Sequence, residues 1–265
     1  MTNYLSSFKA FGHSLKIQFR VVYALLMREI ITRYGRHNIG FAWLFIEPTI
    51  FVAFISLFWG LVRAGQHGIE MIPFAVIGYS VVLCWRNSAS KVTKAIGANS
   101  GLLYHRNVTI LDVFLARIWL EIFGALISFL LLSFIFYVLG EMSLPNDFLY
   151  MVYGGALLVW FTVAFSFVMG SLCELSDLVN RLWGMISFVM FPISGALFFV
   201  HWLPEIAKEY ILYVPMVHFT EMIRHGYYGD VIPTYESIAY MISCNIILSF
   251  VGLMLIRHIS HKAEI

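Results

Sequence analysis

Strongly apolar stretches recur along this chain, and short polar segments separate them. A helix needs roughly 20 mostly apolar residues to cross the hydrocarbon core of a bilayer. Six stretches meet this requirement, at about 40–62, 71–90, 111–140, 148–173, 182–200 and 236–257. The pattern therefore predicts an all-α membrane protein in which residues 39–265 form one transmembrane domain of six helices.

One apolar run between the last two predicted spans is too short to cross a membrane. It covers Tyr210–Thr220, contains Pro215, and lies between the charged residues Lys208 and Glu221. Such a run favours a re-entrant or interfacial hairpin over a further span. We expect a re-entrant hairpin on the external side at about 202–230.

A helix of a different kind is predicted in residues 1–38, before the first span. Apolar residues recur there at helical spacing, and basic residues occupy much of the remaining surface. The apolar positions are Leu15, Phe19, Val22, Leu26 and Ile30, widened by Tyr23, Met27 and Ile31. An amphipathic helix of this type lies in the membrane interface. It either anchors the chain or receives force from a cytoplasmic partner, and the pattern does not separate these roles.

The basic residues predict which side of the membrane each segment faces. Lysine and arginine concentrate in the cytoplasmic loops of membrane proteins. With both termini inside the cell, only Arg63, Lys208 and Arg224 of the 17 lysines and arginines lie in external segments. We therefore predict that both termini are cytoplasmic.

The composition excludes a soluble protein. Hydrophobic residues make up 60% of the 265 residues and charged residues 12%, with a mean hydropathy of +0.82, whereas a soluble domain is about 25% charged. A net charge of +2 without a basic run gives no indication of nucleic-acid binding. Cys84, Cys173 and Cys244 form no CxxC motif, so we predict neither disulfide nor zinc site.

Known catalytic motifs are absent from the sequence. It contains no P-loop, HExxH, GxSxG or GxGxxG, so we predict no catalytic residue and no cofactor in this chain. Any work that the protein performs must draw on a separate subunit or on a gradient. An ion-coupled carrier would need several ionisable groups at mid-bilayer depth, and Glu47 alone lies well inside a predicted span.

Three groups of charged or histidine residues are candidates for a structural or a functional role. Glu47, which precedes Pro48, is either a partnered structural carboxylate or part of a polar pathway. Arg117 and Glu121 are four residues apart and are expected to pair along one helical face. The third group consists of His218, Glu221 and His225, which share one helical face and resemble a zinc site. We interpret these residues as a polar face of the hairpin and predict no metal.

Three segments resemble ABC-2-type exporter permeases of cell-surface polysaccharides. Residues 28–48 combine a basic helix ending in Thr-Arg-Tyr with Gly40 and Trp43 at the entrance of the first span, followed by Glu-Pro. The Glu-Pro pair is similar to the capsular polysaccharide branch (the KpsM/BexB/CtrC type), whereas O-antigen and teichoic-acid permeases tend to have Asn-Pro. Residues 191–205 and 214–229 are similar to the fifth-span exit and the external hairpin of that branch.

The resemblance implies the permease subunit of an ATP-binding-cassette exporter in the bacterial inner membrane. It implies a homodimer bound to two copies of a separate ATP-binding subunit, which holds ATP and Mg²⁺. The expected substrate is a lipid-linked, usually acidic, polysaccharide, which a periplasmic co-polymerase and an outer-membrane channel take onward. The alternatives are an O-antigen or teichoic-acid permease and an intramembrane enzyme acting on lipid-linked sugars.

Two sets of residues are candidates for these roles. The resemblance implies that two segments contact the ATP-binding subunit. One is the loop 86–109, and the other lies before the first span and contains Arg28, Glu29, Arg33, Tyr34 and Arg36. The expected substrate pathway consists of Trp43, Glu47, Arg86, Lys91, Lys94 and Arg106. The basic members of this pathway would attract an anionic lipid phosphate at the cytoplasmic mouth, although membrane topology alone also places basic residues there.

Overall fold

The computed structural model describes residues 2–34, 39–62, 70–103 and 108–263. Every regular element within these ranges is helical. The α-helices are α1 (Thr2–Tyr34), α2 (Ile39–Val62), α3 (Met71–Val82), α4 (Ser88–Val92), α5 (Ala95–Ala98), α6 (Ser100–Leu103), α7 (Ile110–Val138), α8 (Phe148–Leu175), α9 (Asp177–Ile193), α10 (Glu205–Ile211), α11 (Pro215–Tyr228) and α12 (Ile238–Ala263). The all-α class is therefore confirmed for the described chain.

Three helices in the described part of the chain are long and apolar enough to cross a membrane, judged by length and composition. They are α7, α8 and the segment Ile238–His261 of α12, which correspond to the third, fourth and sixth predicted spans. The remaining predicted spans correspond to α2, to α3 together with α4, and to α9. The total of six spans stays a prediction.

The central helix of the bundle is α8, which contacts α4, α7, α9, α11 and α12. Large buried side chains such as Trp85, Phe114 and Phe219 fill the core of the bundle. A Cβ atom at Gly226 of α11 would lie 2.6 Å from the backbone nitrogen of Met151 in α8. Only glycine therefore permits this approach, as is common where helices pack inside a bilayer.

A π-helical turn, Leu83–Asn87, separates α3 from α4 within the second predicted span. Such turns are rare and often occur at functional sites. Its residue Trp85 is fully buried and packs edge-on against Phe165 of α8, with ring centroids 5.9 Å apart. Ser90, which follows the turn, accepts a 3.0 Å hydrogen bond from Trp183 Nε1. The turn and α4 are thus held between α8 and α9.

The position of α9 differs from the fifth predicted span, because α9 begins at Asp177, before the predicted start at 182, and ends at Ile193, before the predicted end at 200. Ser176 caps its start by accepting a 3.5 Å hydrogen bond from the Val179 amide. Asp177 follows in the first turn, where a carboxylate is favourable, and Gly195 marks the end with a φ of +81°. The predicted span began only at residue 182, because it was defined as a stretch without charged residues and therefore excluded Asp177 and Arg181.

The chain between α9 and α12 folds into two short helices, α10 and α11, joined by residues 212–214. The short apolar run Tyr210–Thr220 therefore contains a turn. Pro215 occupies the first position of α11, where proline needs no amide partner. We call α10, α11 and their connection the hairpin.

Candidate functional site

One side of α1 packs against α7, and polar side chains hold the two helices together. Gln18 Nε2 donates a 3.1 Å hydrogen bond to Asp112 Oδ1. Asp112 also caps the start of α7, because its Oδ2 accepts from the amide and the hydroxyl of Thr109 at 3.0 and 2.7 Å. Further along α1, Arg28 Nη1 donates a 3.1 Å hydrogen bond to Asn99 Oδ1.

Arg117 of α7 contacts two further elements. Its Nε lies 3.3 Å from Glu29 Oε1 of α1, and its Nη1 donates a 2.9 Å hydrogen bond to the Lys91 carbonyl of α4. The pairing of Arg117 with Glu121 stays a prediction. The structure shows further partners of Arg117 on α1 and α4, which spacing along one helix does not indicate. The side chains that attach α1 will be called the α1 cluster: Gln18, Arg28, Glu29, Asn99, Asp112 and Arg117.

The predicted apolar stripe of α1 is divided between two faces. Val22, Leu26 and Ile30 are partly buried. The exposed members of the stripe recur every four positions and are Leu15, Phe19, Tyr23, Met27 and Ile31, and Ile17 outside the stripe is exposed as well. A helix that is apolar on both faces suits a position between the protein and lipid.

The five residues predicted to contact an ATP-binding subunit lie in or just after the second half of α1. Arg28 is exposed and Glu29 is half-buried, and both belong to the α1 cluster. Arg33 and Tyr34 are in the last turn of α1, although their side chains, and Arg36 as a whole, lie outside the described residues.

Glu47 of α2 has a partner in α3. It accepts a 3.0 Å hydrogen bond from the Tyr79 hydroxyl, and the Tyr79 ring stacks on Phe51 with centroids 3.9 Å apart. Glu47 itself is exposed on the surface of the chain. Both interpretations of Glu47 agree with this geometry. Sequence reasoning missed Tyr79, because a tyrosine in an apolar helix carries no charge and lies far from Glu47 in sequence.

The basic residues of the predicted pathway belong to one short segment. Arg86 lies in the π-turn and is half-buried, whereas Lys91 and Lys94 are exposed at the end of α4 and just after it. Arg106 and the side chain of Trp43 lie outside the described residues. Since the Lys91 carbonyl binds Arg117, this segment adjoins the α1 cluster.

Arg224 of α11 is fully buried and binds backbone carbonyls. Its Nη1 donates to the carbonyls of Gly195 and Phe198, at 2.8 and 2.7 Å. Its Nη2 donates to those of Ala196 and Phe74, at 2.9 and 3.3 Å. One guanidinium therefore joins the hairpin to the turn after α9 and to the start of α3.

Aromatic rings and a glycine complete this arrangement. The guanidinium carbon lies 4.0 Å from the ring centroid of Phe74 and 4.7 Å from that of Phe199, close enough for cation–π attraction. A Cβ at Gly78 would be 2.7 Å from Arg224 Nη2, so only glycine leaves room. We call this group the Arg224 anchor: Phe74, Gly78, Gly195, Ala196, Phe198, Phe199 and Arg224. In the sequence, Arg224 indicated only an external charge, because the carbonyl of its partner Phe74 is 150 residues away.

The three residues that resemble a zinc site, His218, Glu221 and His225, have separate partners. His218 Nε2 donates to the Leu212 carbonyl at 2.8 Å, and its Nδ1 accepts from the Ser237 amide at 3.0 Å. Because Nδ1 accepts, the imidazole is neutral. In the part of the chain that the structure describes, no group of three or more histidines, cysteines and carboxylates is arranged to hold a metal ion.

Two carboxylates of the hairpin region have pKa values displaced in opposite directions. Burial raises the pKa of Glu221 to about 7, although Arg224 and the Val200 amide, 3.3 Å from Oε1, oppose the shift. Burial by itself also raises the pKa of Glu236. Hydrogen bonds, led by a 2.6 Å contact with His225 Nδ1, outweigh it and hold that pKa below its usual range.

A polar cleft of about 420 Å³ lies beside the end of α11. Tyr227 lines the cleft together with Glu70 and Ser143. Its hydroxyl donates a 3.0 Å hydrogen bond to Glu70 Oε2 and accepts a 2.8 Å hydrogen bond from the Ser143 amide. Asn146 and Tyr228 also line the cleft. These contacts connect the end of the hairpin to the α7–α8 loop.

Comparison with known proteins relates this geometry to a family. Residues 20–228 match the family described as ABC-2 type transporter. The chain is 43% identical over 255 residues to the capsule polysaccharide export inner-membrane protein BexB of Haemophilus influenzae, covering 96% of both chains. It is 43% identical over 256 residues to CtrC of Neisseria meningitidis serogroup B, with the same description, covering 96% of this chain and 97% of CtrC. A more distant relative, the polysialic acid transport protein KpsM of Escherichia coli, is 25% identical over 243 residues, covering 91% of this chain and 94% of KpsM.

Proposed function

Since the chain belongs to the ABC-2 type transporter family, we propose that it is the transmembrane permease of an ATP-driven exporter of capsular polysaccharide in a bacterial inner membrane. The observation that carries this proposal is 43% identity over 96% of the chain to two capsule export proteins. The similarity extends over nearly the whole chain, so it includes α1, the bundle and the hairpin.

In the proposed assembly, two copies of this chain bind two copies of an ATP-binding subunit. That subunit holds ATP and Mg²⁺, because this chain has no P-loop. Each permease chain crosses the membrane six times with both termini in the cytoplasm, and the hairpin re-enters from the external side. A periplasmic co-polymerase and an outer-membrane channel receive the lipid-linked, acidic polymer. The bias of basic residues and the three long apolar helices support this topology.

The proposed contact surface for the ATP-binding subunit comprises α1 and the segment α4–α6. Its support is the α1 cluster, which connects both elements to α7 by side-chain contacts. Force applied to either element therefore reaches a membrane-spanning helix. Arg28 is exposed at this surface, and Arg33, Tyr34 and Arg36 continue it in the sequence.

The proposed route of the polymer begins at the basic segment after α3. Arg86, Lys91 and Lys94 provide positive charge that attracts an anionic lipid phosphate. Glu47, held by Tyr79, lies on the exposed side of α2 and belongs to the same route. Trp43 and Arg106 complete it in the sequence.

Removing the positive charges of Lys91 and Lys94 tests this proposed route of the polymer. In the double variant Lys91→Gln/Lys94→Gln, we expect surface polysaccharide to fall severalfold while the ATP-binding subunit still co-purifies with the permease. Lys208→Gln, which removes a lysine of the hairpin, is the matched control. Unchanged surface polymer in the double variant would contradict the proposed role of the two lysines.

The broader proposal is tested by purifying the chain from its native membrane in mild detergent and assaying ATP hydrolysis. Recovery of a stoichiometric ATP-binding protein with activity supports the exporter. Recovery of the permease without any ATPase would reject it and would favour an enzyme or an ion-coupled carrier instead.

A further inference from the structure

We propose that Arg117 is a positioning residue that makes α1 and α4 move together with α7 when the ATP-binding subunit closes. This inference rests on the proposed function, because it assumes that α1 and α4–α6 receive the force. Arg117 belongs to α7, yet its Nε faces Glu29 of α1 and its Nη1 binds the Lys91 carbonyl of α4. A single guanidinium thus contacts both elements of the proposed contact surface.

The chemistry of arginine suits this position. A guanidinium is a rigid planar fork, whereas a lysine ammonium is a flexible point charge. In Arg117, Nη1 donates a directed hydrogen bond to the Lys91 carbonyl while Nε forms an ion pair with Glu29 rather than a hydrogen bond. The side chains of Arg117 and Glu29 are only 12% and 20% exposed, so water and salt weaken their attraction less than at an open surface. The contact therefore keeps the relative position of three helices.

The neighbouring contacts prevent α1 from turning independently of the bundle. Gln18 is bonded to Asp112, at the start of α7, and Arg28 is bonded to Asn99, between α5 and α6. Glu29 lies next to Arg28, so α1 is attached to the bundle at two positions along its length, Gln18 and Arg28–Glu29. Among the described contacts of the α1 cluster, Arg117 contacts α1 and α4 simultaneously, and its loss removes both contacts.

The test uses the complete permease–ATPase complex, with export in cells and ATP hydrolysis in purified complex as the two measurements. In Arg117→Gln, we expect the polymer exported per ATP hydrolysed to fall at least about fivefold, with the ATPase rate within about twofold of the wild type. In Glu29→Gln, we expect the polymer exported per ATP hydrolysed to fall as well, whatever the ATPase rate, because Glu29 also lies in the proposed contact surface. Because Glu29 acts through Arg117, the double variant should export about as much as Arg117→Gln alone, which also loses the contact with the Lys91 carbonyl. Arg181→Gln, an exposed arginine of α9, is the matched control and should behave like the wild type.

Two further variants separate positioning from simple folding. Arg117→Lys keeps the charge and loses the fork, so it should export at an intermediate level. The exchange Glu29→Arg/Arg117→Glu restores the α1–α7 pair but cannot donate from position 117 to the Lys91 carbonyl, so it should recover part of the export. Complete recovery in this exchange would show that the α4 contact is dispensable and would overturn the proposal.

The remaining outcomes also decide the question. A wild-type ratio of export to ATP hydrolysis in Arg117→Gln would overturn the proposal. Loss of the ATP-binding subunit or of the permease itself in both Arg117→Gln and Glu29→Gln would overturn it as well, by showing a structural role. Failure of the proposed function looks different, because then no ATPase co-purifies with the wild-type chain.

Discussion

The α1 cluster and the Arg224 anchor both fasten helices with arginine, but they do so in different ways. In the α1 cluster, most contacts join one side chain to another at a partly exposed surface. In the Arg224 anchor, one fully buried guanidinium donates to four backbone carbonyls. Side-chain partners can separate and pair again, whereas the carbonyl positions are determined by the fold itself.

The energies of the two arrangements differ accordingly. A partly exposed ion pair contributes about 0–1 kcal/mol, whereas each buried carbonyl that loses its donor costs about 1–3 kcal/mol. We therefore expect the hairpin, the turn after α9 and the start of α3 to move as one rigid body. The attachment of α1 is the adjustable region. Four variants test this difference between the two regions.

Arg224→Met should have the largest effect. It leaves four buried carbonyls without their guanidinium donor, and we expect the free energy of unfolding to fall by about 3 kcal/mol or more. Thermal unfolding of the purified chain in detergent measures this loss, with Arg181→Met as the control. An unchanged melting temperature would show that the Arg224 anchor stabilises the fold no more than the α1 cluster does.

Gly78→Ala should disturb the same anchor less strongly. The added Cβ would lie 2.5 Å from the Ala196 carbonyl oxygen and 2.7 Å from Arg224 Nη2, so the arginine must shift. We expect a loss of about 1–3 kcal/mol in the same unfolding assay. Gly155→Ala is the matched control, because no atom lies within 4 Å of its added Cβ. Equal stability of the two variants would show that the anchor tolerates displacement.

Glu221→Gln should change how stability depends on pH. Burial raises the pKa of Glu221 from 4.5 to about 7, so its contribution to stability is complete below the unfolded value and is lost as pH rises through about 7. Between about pH 5 and about pH 8, we expect the melting temperature of the wild type to fall by a few degrees more than that of Glu221→Gln. Parallel pH profiles for the two proteins would show that Glu221 titrates normally.

Gln18→Ala should have the smallest effect. It removes one hydrogen bond to Asp112 in a partly exposed contact, which is worth about 1 kcal/mol or less. Amide exchange in α1 should nevertheless become faster, because the helix is less firmly held to α7. Lys16→Ala, which alters an exposed neighbour, is the control. A loss of stability comparable to that of Arg224→Met would show that α1 is as rigidly attached as the hairpin.

Much of the helix arrangement was predictable, because it depends on local pattern. The helices α2, α7, α8 and α12 lie close to apolar stretches that are visible without any structure. The family was also recognisable, since its motifs occupy continuous segments such as residues 28–48, and the comparisons confirm it. The ends of α9 were harder to predict from the sequence, because a capping serine and an acidic first turn define its start.

The partners of the charged residues were much less predictable. Arg117 was expected to pair with Glu121 four residues away, yet Glu29 and Lys91 also contact it from other helices. Arg224 binds the carbonyl of Phe74, 150 residues earlier in the chain. No sequence spacing indicates such contacts, because they depend on how helices distant in sequence are packed.

The sequence by itself thus determined the helical class, the membrane location, the absence of a P-loop and the family. These properties follow from the period of apolar residues and from continuous motifs, and each can be recognised within one segment. Only the tertiary structure decided that Arg224 holds the hairpin, that Tyr79 holds Glu47 and that Arg117 contacts both α1 and α4. Those assignments require that separate helices be close in space. Helix packing determines which helices meet, and hydrogen bonds act only over about 3 Å.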